Sequence, residues 1–294
     1  MKKYLLVLFL LLAPVITWAA GDALGIFDND LDISSFVKEI DISPTIVGDD
    51  DREEITNENA QGLEKAVVIL KISFRGIIPV GYCSGAMVGP NVVLTAAHCL
   101  YYNGKFEMSI EVFAPVADKS ENEQLLSAKS IELYVPDKYI EYSNNSTSYT
   151  HAMEQYDYGI VILDKSIGAK TGWFGLNTMS RTQLKSAHII VLGYSGDKPD
   201  NTLWKSEGFI GFWKVYTNNT FGHNADTVLG NSGGPIVLNK KPTEIIGIET
   251  AHNIKAGDYV PAGYPNTGLR ITKDIVDIVQ KYNKRNGPYL PPKN

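Results

Sequence analysis

Residues 91–99, NVVLTAAHC, place a histidine and a cysteine directly after a run of apolar residues. A short apolar run rich in valine is typical of a buried strand. His98 is therefore predicted to lie at a strand end, where an imidazole can pack beside a disulfide or act as a base. A base requires two further groups, a nucleophile and a carboxylate that orients the imidazole.

The chain contains two cysteines, Cys83 and Cys99. In an exported protein such a pair is expected to form one disulfide, and two free buried thiols are the alternative. The bridge would close a loop of about 16 residues and stabilise the fold by about 3 kcal/mol in the chain-entropy model.

The length and charge of the chain limit what it can be. It has 294 residues, of which 44% are hydrophobic, and its formal net charge is −6. This is enough apolar material for one large domain or two small ones. Because no basic face is visible, nucleic acid is not an expected partner.

The N-terminal region is predicted to consist of two segments that precede the folded domain. Residues 1–20 have two early lysines, a short apolar run and small residues at the end, as a secretory signal peptide does. A membrane anchor is the alternative, but the run is short and interrupted by Pro14. Residues 21–44 are acidic and are expected to be a propeptide or leader, with a structured first element as the alternative. No later segment predicts stable membrane insertion, so we expect a secreted or periplasmic protein.

From Lys65 onward, short runs rich in valine, isoleucine and tyrosine alternate with turn residues. This pattern predicts an all-β barrel or sandwich. Residues 271–288 differ, because apolar residues recur there at helical spacing and Gly287 and Pro288 follow. We expect an amphipathic C-terminal α-helix packed on the strands, and a mobile tail over 286–294.

A candidate nucleophile lies in DTVLGNSGGPIV, residues 226–237. Glycines on both sides of Ser232 suit an exposed hydroxyl on a tightly turned backbone. The N–H groups of Gly230 and Ser232 could then point at one spot and form an oxyanion hole. The alternative is a glycine-rich hairpin with an uninvolved serine.

A candidate orienting carboxylate lies in QYDYGIVILD, where Asp157 precedes an apolar strand. A carboxylate before buried residues is costly unless it is hydrogen-bonded, and a histidine Nδ1–H is a suitable donor. An ordinary aspartate at a strand start is the alternative, and Asp137 and Asp164 are other candidates in more polar contexts. The order His98, Asp157, Ser232 is that of chymotrypsin and not of subtilisin or the α/β-hydrolases.

The motifs TAAHC, YDYGIVIL and GNSGGP, followed by the helix, resemble the chymotrypsin-like serine endopeptidases over roughly residues 45–285. Three features are similar to the bacterial glutamyl-endopeptidase branch: TIVGDDDREEITN (45–57), GYSGDKPDNTLWKSEGFI (193–210) and Asn231 before the serine. The resemblance implies two six-stranded antiparallel β-barrels with the catalytic cleft between them. It also implies a mature chain starting near Thr45 or Ile46.

The resemblance implies a mechanism as well. His98 would take the proton of Ser232, Asp157 would hold the histidine tautomer, and Thr250 would place a hydroxyl near that aspartate. No metal or organic cofactor is expected, since the other histidines lack metal-ligand spacing. The expected partner is a protein or peptide substrate, and the expected assembly is a monomer.

Asn231 departs from the trypsin pattern. In trypsins an aspartate at this place binds the new N-terminus and switches on the oxyanion hole. Asparagine cannot form that ion pair, so either activation differs or the oxyanion hole is preformed.

The pocket for the residue before the cleaved bond is expected to involve Asp226, Thr227, Glu249 and His252. Asp226 stands where trypsins bind Arg or Lys, and Thr227 stands where glutamyl endopeptidases bind a substrate carboxylate. Glu249 falls where those enzymes use a histidine, and His252 could compensate if the strand shifts register. Two carboxylates would favour a basic side chain, with glutamate as the alternative preference. Replacing Glu249 by histidine should then raise cleavage after glutamate.

Two other functions compete with a secreted serine endopeptidase. A catalytically silent binding protein on the same scaffold would be expected to lose His98, Asp157 or Ser232, and all three are present. A periplasmic quality-control protease would be expected to carry a peptide-binding domain after the protease domain, where only a short tail follows Arg285.

Overall fold

The structure is a computed structural model. It describes residues 46–74, 78–101, 108–114, 126–146, 148–213, 218–252 and 264–285. These residues belong to one compact unit of the chain, Ser43–Asn294. The predicted signal peptide, leader and tail lie outside the described residues.

Most of the described chain is β-strand. The strands are β1 (Glu53–Ile55), β2 (Val67–Phe74), β3 (Ile78–Met87), β4 (Val92–Thr95), β5 (Met108–Ala114), β6 (Leu126–Tyr134), β7 (Gly159–Leu163), β8 (Gly175–Leu176), β9 (His188–Gly193), β10 (Leu203–Trp213), β11 (Thr220–His223), β12 (Pro235–Leu238), β13 (Lys241–His252) and β14 (Asn266–Arg270). The helices are α1 (Asp137–Asn144), α2 (His151–Glu154), α3 (Gly168–Thr171), α4 (Arg181–Leu184) and α5 (Lys273–Arg285).

The strands form two closed antiparallel barrels of six strands each. The first barrel has the order β2-β3-β4-β7-β6-β5. The second has the order β10-β11-β14-β13-β12-β9 and is closed by the pairing of β9 with β10. Closure pairs both edges of each barrel, which is how an all-β fold removes unpaired strand edges. The predicted two-barrel, all-β architecture is confirmed.

The apolar runs seen in the sequence form the cores of the barrels. Every residue of β4, β7, β11 and β12 is buried. Burial on both faces explains why β4, β7 and β12 are nearly continuous apolar runs and not alternating ones. The predicted disulfide is present between Cys83 on β3 and Cys99 just after β4.

The predicted C-terminal helix is present as α5, and it packs against the first barrel. The side chain of Thr272 accepts a hydrogen bond from the N–H of Ile275 at 3.4 Å, which caps the helix start. Ile275, Val279 and Tyr282 are buried. Asn283 is buried as well, and its Nδ2 donates to the carbonyl of Val88 in the first barrel at 2.9 Å. No helix among the described residues is long and apolar enough to cross a bilayer.

The alternative candidates for the orienting carboxylate serve local structure. Asp137 begins α1. Asp164 Oδ1 accepts the N–H of Lys129 at 2.8 Å, which joins the end of β7 to β6.

The disulfide yields a stability prediction. Replacing both Cys83 and Cys99 by alanine should lower the free energy of unfolding by about 3 kcal/mol, because the open chain gains loop entropy when it unfolds. Urea unfolding followed by tryptophan fluorescence measures this loss. Wild-type protein reduced with dithiothreitol is the control and should lose a similar amount. A loss below about 1 kcal/mol in both samples would contradict the prediction.

Candidate active site

The pairing of β4 with β7 brings His98 and Asp157 together. The two strands are antiparallel, and Thr95 at the end of β4 lies opposite Gly159 at the start of β7. His98 follows β4 in a short 3-10 turn, and Asp157 precedes β7 by two residues. The strand end and the strand start therefore face each other, which places both side chains at the same end of the first barrel.

The carboxylate of Asp157 is fully buried and accepts three hydrogen bonds. Its Oδ1 accepts the backbone N–H of His98 at 2.9 Å, and its Oδ2 lies 2.7 Å from Nδ1 of His98. The hydroxyl of Tyr149 donates to the same Oδ2 at 2.5 Å. A buried carboxylate is stable only when it is bonded in this way, and the bonds fix both the position and the tautomer of the imidazole.

The pKa of His98 reflects two opposed effects. Burial disfavours the charged imidazolium and lowers the pKa, whereas the Asp157 carboxylate and its hydrogen bond favour the charged form. The carboxylate prevails, so the pKa of His98 lies above its ordinary value. The side chain remains 27% exposed, so it is accessible from solvent while its Nδ1 is held.

The turn that carries Ser232 packs against the segment that carries His98. The carbonyl of Ser232 accepts the N–H of Ser84 at 2.8 Å and lies 3.9 Å from Sγ of Cys99. Gly233 has a φ of +81°, and a Cβ there would lie 2.1 Å from Oγ1 of Thr95. Only glycine permits this backbone conformation and this close approach, and Ser232 itself is half-buried at the surface of the turn.

The backbone before Ser232 directs an N–H group outward. The carbonyl of Leu229 accepts a hydrogen bond from the N–H of Gly196 at 2.7 Å. Because the peptide is planar and trans, the N–H of Gly230 points away from Gly196. Gly230 has a φ of +96°, and a Cβ there would lie 2.5 Å from the carbonyl oxygen of Tyr194. Among the described residues, the N–H groups of Gly230 and Ser232 have no hydrogen-bond acceptor.

Asn231 stabilises this turn through hydrogen bonds of an uncharged side chain. Its Oδ1 accepts the hydroxyl of Ser195 at 3.0 Å and the N–H of Val228 at 3.1 Å. The side chain is buried, so a neutral amide avoids the desolvation cost of a carboxylate. Of the two alternatives that the sequence left open, this geometry favours a preformed oxyanion hole.

Asp226 contacts the first described residues of the chain. Its Oδ1 accepts the N–H of Val47 at 2.7 Å, and its Oδ2 is buried without a hydrogen-bond partner in the described part of the chain. Burial raises the pKa of Asp226 above its ordinary value. The carboxylate is engaged by residues 46–51, so its predicted role in binding a basic substrate side chain stays a prediction.

The chain after Val47 is fixed by a buried arginine. Arg52 pairs with Asp50 at 2.8 Å and with Asp197 at 2.5 Å, and its side chain is 1% exposed. Burial lowers the pKa of Arg52, but the two carboxylates outweigh it and raise that pKa. The pairs tie the segment to the turn that follows β9.

Thr227 and Glu249, both predicted for the substrate pocket, contact each other. The hydroxyl of Thr227 donates to Oε1 of Glu249 at 3.0 Å. Oε2 of Glu249 lies 2.8 Å from Nε2 of His223 on β11. All three side chains are buried. His223 was not among the predicted pocket residues, and the structure places it on β11 beside Glu249.

The hydroxyl expected near Asp157 comes from a different residue. Thr250 Oγ1 donates to the carbonyl of Thr267 on β14 at 3.2 Å, in a region where the β13–β14 register shifts between Glu249 and Ala251. Tyr149 supplies the hydroxyl instead. Its sequence context, a polar loop, gave no signal for this role. The backbone of His252 ends β13, and its side chain lies outside the described part.

One cluster of metal-ligating types occurs among the described residues: Cys83, His98 and Cys99. The two thiols are joined in the disulfide. A disulfide sulfur is not a thiolate, so this cluster does not fit a metal site.

Double β-barrels with a histidine–aspartate pair beside a glycine-flanked serine define the class of chymotrypsin-like serine proteases. The sequence profile of the family described as Trypsin matches residues 66–268 of the chain. The chain thus belongs to the trypsin family and is a serine endopeptidase near its glutamyl-endopeptidase branch.

Several known proteins are similar to this chain in sequence or in fold. A glutamyl endopeptidase of Bacillus licheniformis is 28% identical over 234 residues, which cover 79% of this chain and 67% of the relative. An extracellular metalloprotease of Bacillus subtilis is 26% identical over 237 residues, covering 80% and 69%. A solved Glu endopeptidase structure, in complex with MPD, superposes with a TM-score of 0.61 at 24% identity, covering 81% of this chain and 99% of that one.

The hydrogen bond from Tyr149 leads to a prediction about pH dependence. Replacing Tyr149 by phenylalanine removes a donor from Asp157, so the carboxylate attracts the His98 imidazolium more strongly and raises the pKa of His98 further. Because the base must be neutral, the acid limb of the kcat/KM profile should move to higher pH by about half a unit or more. Peptide hydrolysis between pH 5 and 9 measures the shift.

The matched control is Asp157→Asn, which removes the negative charge itself. Its acid limb should move to lower pH, and kcat should fall by about 10⁴-fold. An acid limb that stays in place in Tyr149→Phe would show that the tyrosine hydroxyl does not act on the histidine through Asp157.

Proposed function

We propose that the chain hydrolyses peptide bonds with Ser232 as nucleophile, His98 as general base and acid, and Asp157 as the orienting carboxylate. The observation that best supports this proposal is the 2.7 Å contact of His98 Nδ1 with a fully buried Asp157, next to the turn that carries Ser232. Because Nδ1 is bonded to Asp157, Nε2 of His98 is the ring nitrogen available for the serine proton.

The chemical steps follow from this arrangement. His98 Nε2 takes the proton of Ser232 as the oxygen attacks the peptide carbonyl. The N–H groups of Gly230 and Ser232 stabilise the oxyanion, each contributing about 3 kcal/mol. His98 then gives its proton to the leaving amine, and an acyl-enzyme remains. Water attacks the acyl group with His98 again as the base, which releases the acid product and restores Ser232.

We propose glutamate, and not arginine or lysine, as the preferred residue before the cleaved bond. The expectation of a basic residue rested on two free carboxylates in the pocket. Glu249 is bonded to His223 and Thr227, and Asp226 accepts the N–H of Val47, so neither supports that expectation. The similarity to relatives described as glutamyl endopeptidases supports the acidic preference.

We also propose that the protein is secreted or periplasmic and loses residues 1–20 and 21–44 before it is active. The similarity to a relative described as extracellular and the Cys83–Cys99 disulfide support export. A mature start near Thr45 or Ile46 would leave Val47 at the N-terminal end, where its N–H contacts Asp226.

Labelling with a fluorophosphonate tests the nucleophile. We expect one covalent adduct, located on Ser232 by peptide mass spectrometry, on a chain that starts near Thr45. Ser232→Ala should lose the adduct and nearly all peptidase activity, while its melting temperature stays close to that of the wild type. An unlabelled, folded and correctly trimmed wild-type chain would refute the proposal.

Profiling with a peptide library tests the preference. We expect kcat/KM for substrates with glutamate before the cleaved bond to exceed that for matched arginine and lysine substrates. The matched glutamine substrate controls for size without charge. A higher value for arginine or lysine would restore the basic preference.

A further inference from the structure

The buried carboxylate of Glu249 lies directly beneath the turn that carries Ser232, called here the nucleophile turn. It has no role in the proposed peptide-bond chemistry. The backbone of Glu249 is bonded on both sides to this turn, since its carbonyl accepts the N–H of Gly233 at 2.7 Å and its N–H donates to Gly234 at 2.9 Å. The residue is only 1% exposed. Its side chain therefore lies within one side-chain length of Ser232, in the protein interior.

Two donors from separate elements hold this carboxylate. Thr227, five positions before Ser232, donates its hydroxyl to one oxygen at 3.0 Å. His223 reaches the other oxygen at 2.8 Å from β11, two strands away across β14. A hydroxyl and an imidazole that converge in a desolvated site are the groups that would bind a carboxylate from a substrate. Here they bind a carboxylate of the chain itself.

The carboxylate of Glu249 affects how a second carboxylate could bind at Thr227 and His223. Among the residues that the structure describes, the buried Nδ1 of His223 has no hydrogen-bond partner, and Nε2 is the ring nitrogen that contacts Glu249. A second carboxylate brought to Thr227 and His223 would meet the charge of Glu249 at contact distance, where like charges are strongly unfavourable.

We propose that Glu249 is an internal competitor for the substrate carboxylate: it occupies the Thr227–His223 site and thereby limits cleavage after glutamate. This inference rests on the proposed serine endopeptidase function and on its acidic preference. A glutamate side chain of the substrate reaches the two donors by displacing Glu249, and part of its binding energy is lost in that exchange. Removing the internal carboxylate should lower KM for glutamate substrates.

The test compares Glu249→Ala with wild type on two peptides that differ only in glutamate or alanine before the cleaved bond. We expect kcat/KM for the glutamate peptide to rise about 10- to 100-fold, mainly through KM, because a like charge leaves a desolvated contact. The readout is the ratio of the glutamate value to the alanine value, so a general loss of activity in the variant cancels. Glu244→Ala, on the same strand but bonded to the surface Lys241, is the matched control and should change neither value.

Added acetate provides a second readout. In Glu249→Ala it can refill the vacated site, so we expect competitive inhibition of glutamate-peptide cleavage. Wild type should be at least about tenfold less sensitive to acetate, because its site is already occupied. If Glu249→Ala fails to fold, Glu249→Gln replaces it, because glutamine keeps the shape of the side chain and removes its charge. We expect kcat/KM for the glutamate peptide to rise in this variant too, but by less.

Fluorophosphonate labelling separates failure of this inference from failure of the proposed function. Labelled variants whose glutamate-to-alanine ratio does not rise and that gain no acetate sensitivity would overturn the internal competitor and leave the proposed peptidase intact. Glu249 would then be a structural partner of His223. Loss of labelling in wild type would instead remove the proposed nucleophile.

Discussion

The burial of one carboxylate sets the requirement that the candidate catalytic site must meet. Asp157 lies in the protein interior, and it is stable there because His98 and Tyr149 donate to it. Those donors are in place only when β4 and β7 pair in the observed register, since the end of one strand must meet the start of the other. A shift by one residue would move the histidine away and leave the charge unpaired. The imidazole is therefore aligned only when the strands of the first barrel are correctly paired.

Polar groups buried in the second half of the site are matched with hydrogen-bond partners. Asn231 holds its turn with a neutral amide, and Glu249 is bonded to His223 and Thr227. The interior arginine Arg52 is paired with two aspartates. Each arrangement reduces the cost of burying polar groups close together. The backbone of the turn that carries Ser232 is therefore held by short hydrogen bonds to neighbouring segments and not by a distant ion pair.

Local sequence allowed the strands, the disulfide and the final helix to be predicted, because apolar runs, turn residues and cap residues are local signals. The strands β11 and β14 were not recognised, since four or five residues containing glycine and asparagine have little strand propensity of their own and pair only within the closed barrel. The same limit applies to the site. The positions of His98, Asp157 and Ser232 follow from motifs, whereas the contacts of Tyr149 with Asp157 and of His223 with Glu249 depend on how loops and strands pack and have no motif of their own.

The last helix completes the first barrel, although it follows the second barrel in the chain. Asn283 reaches back 195 positions to the carbonyl of Val88, and three earlier side chains of α5, Ile275, Val279 and Tyr282, are buried against the same core. A chain made from its N-terminus onward cannot cover this surface until α5 has been synthesised. The barrel that carries His98 therefore keeps an uncovered apolar face until the strands of the second barrel have all been made.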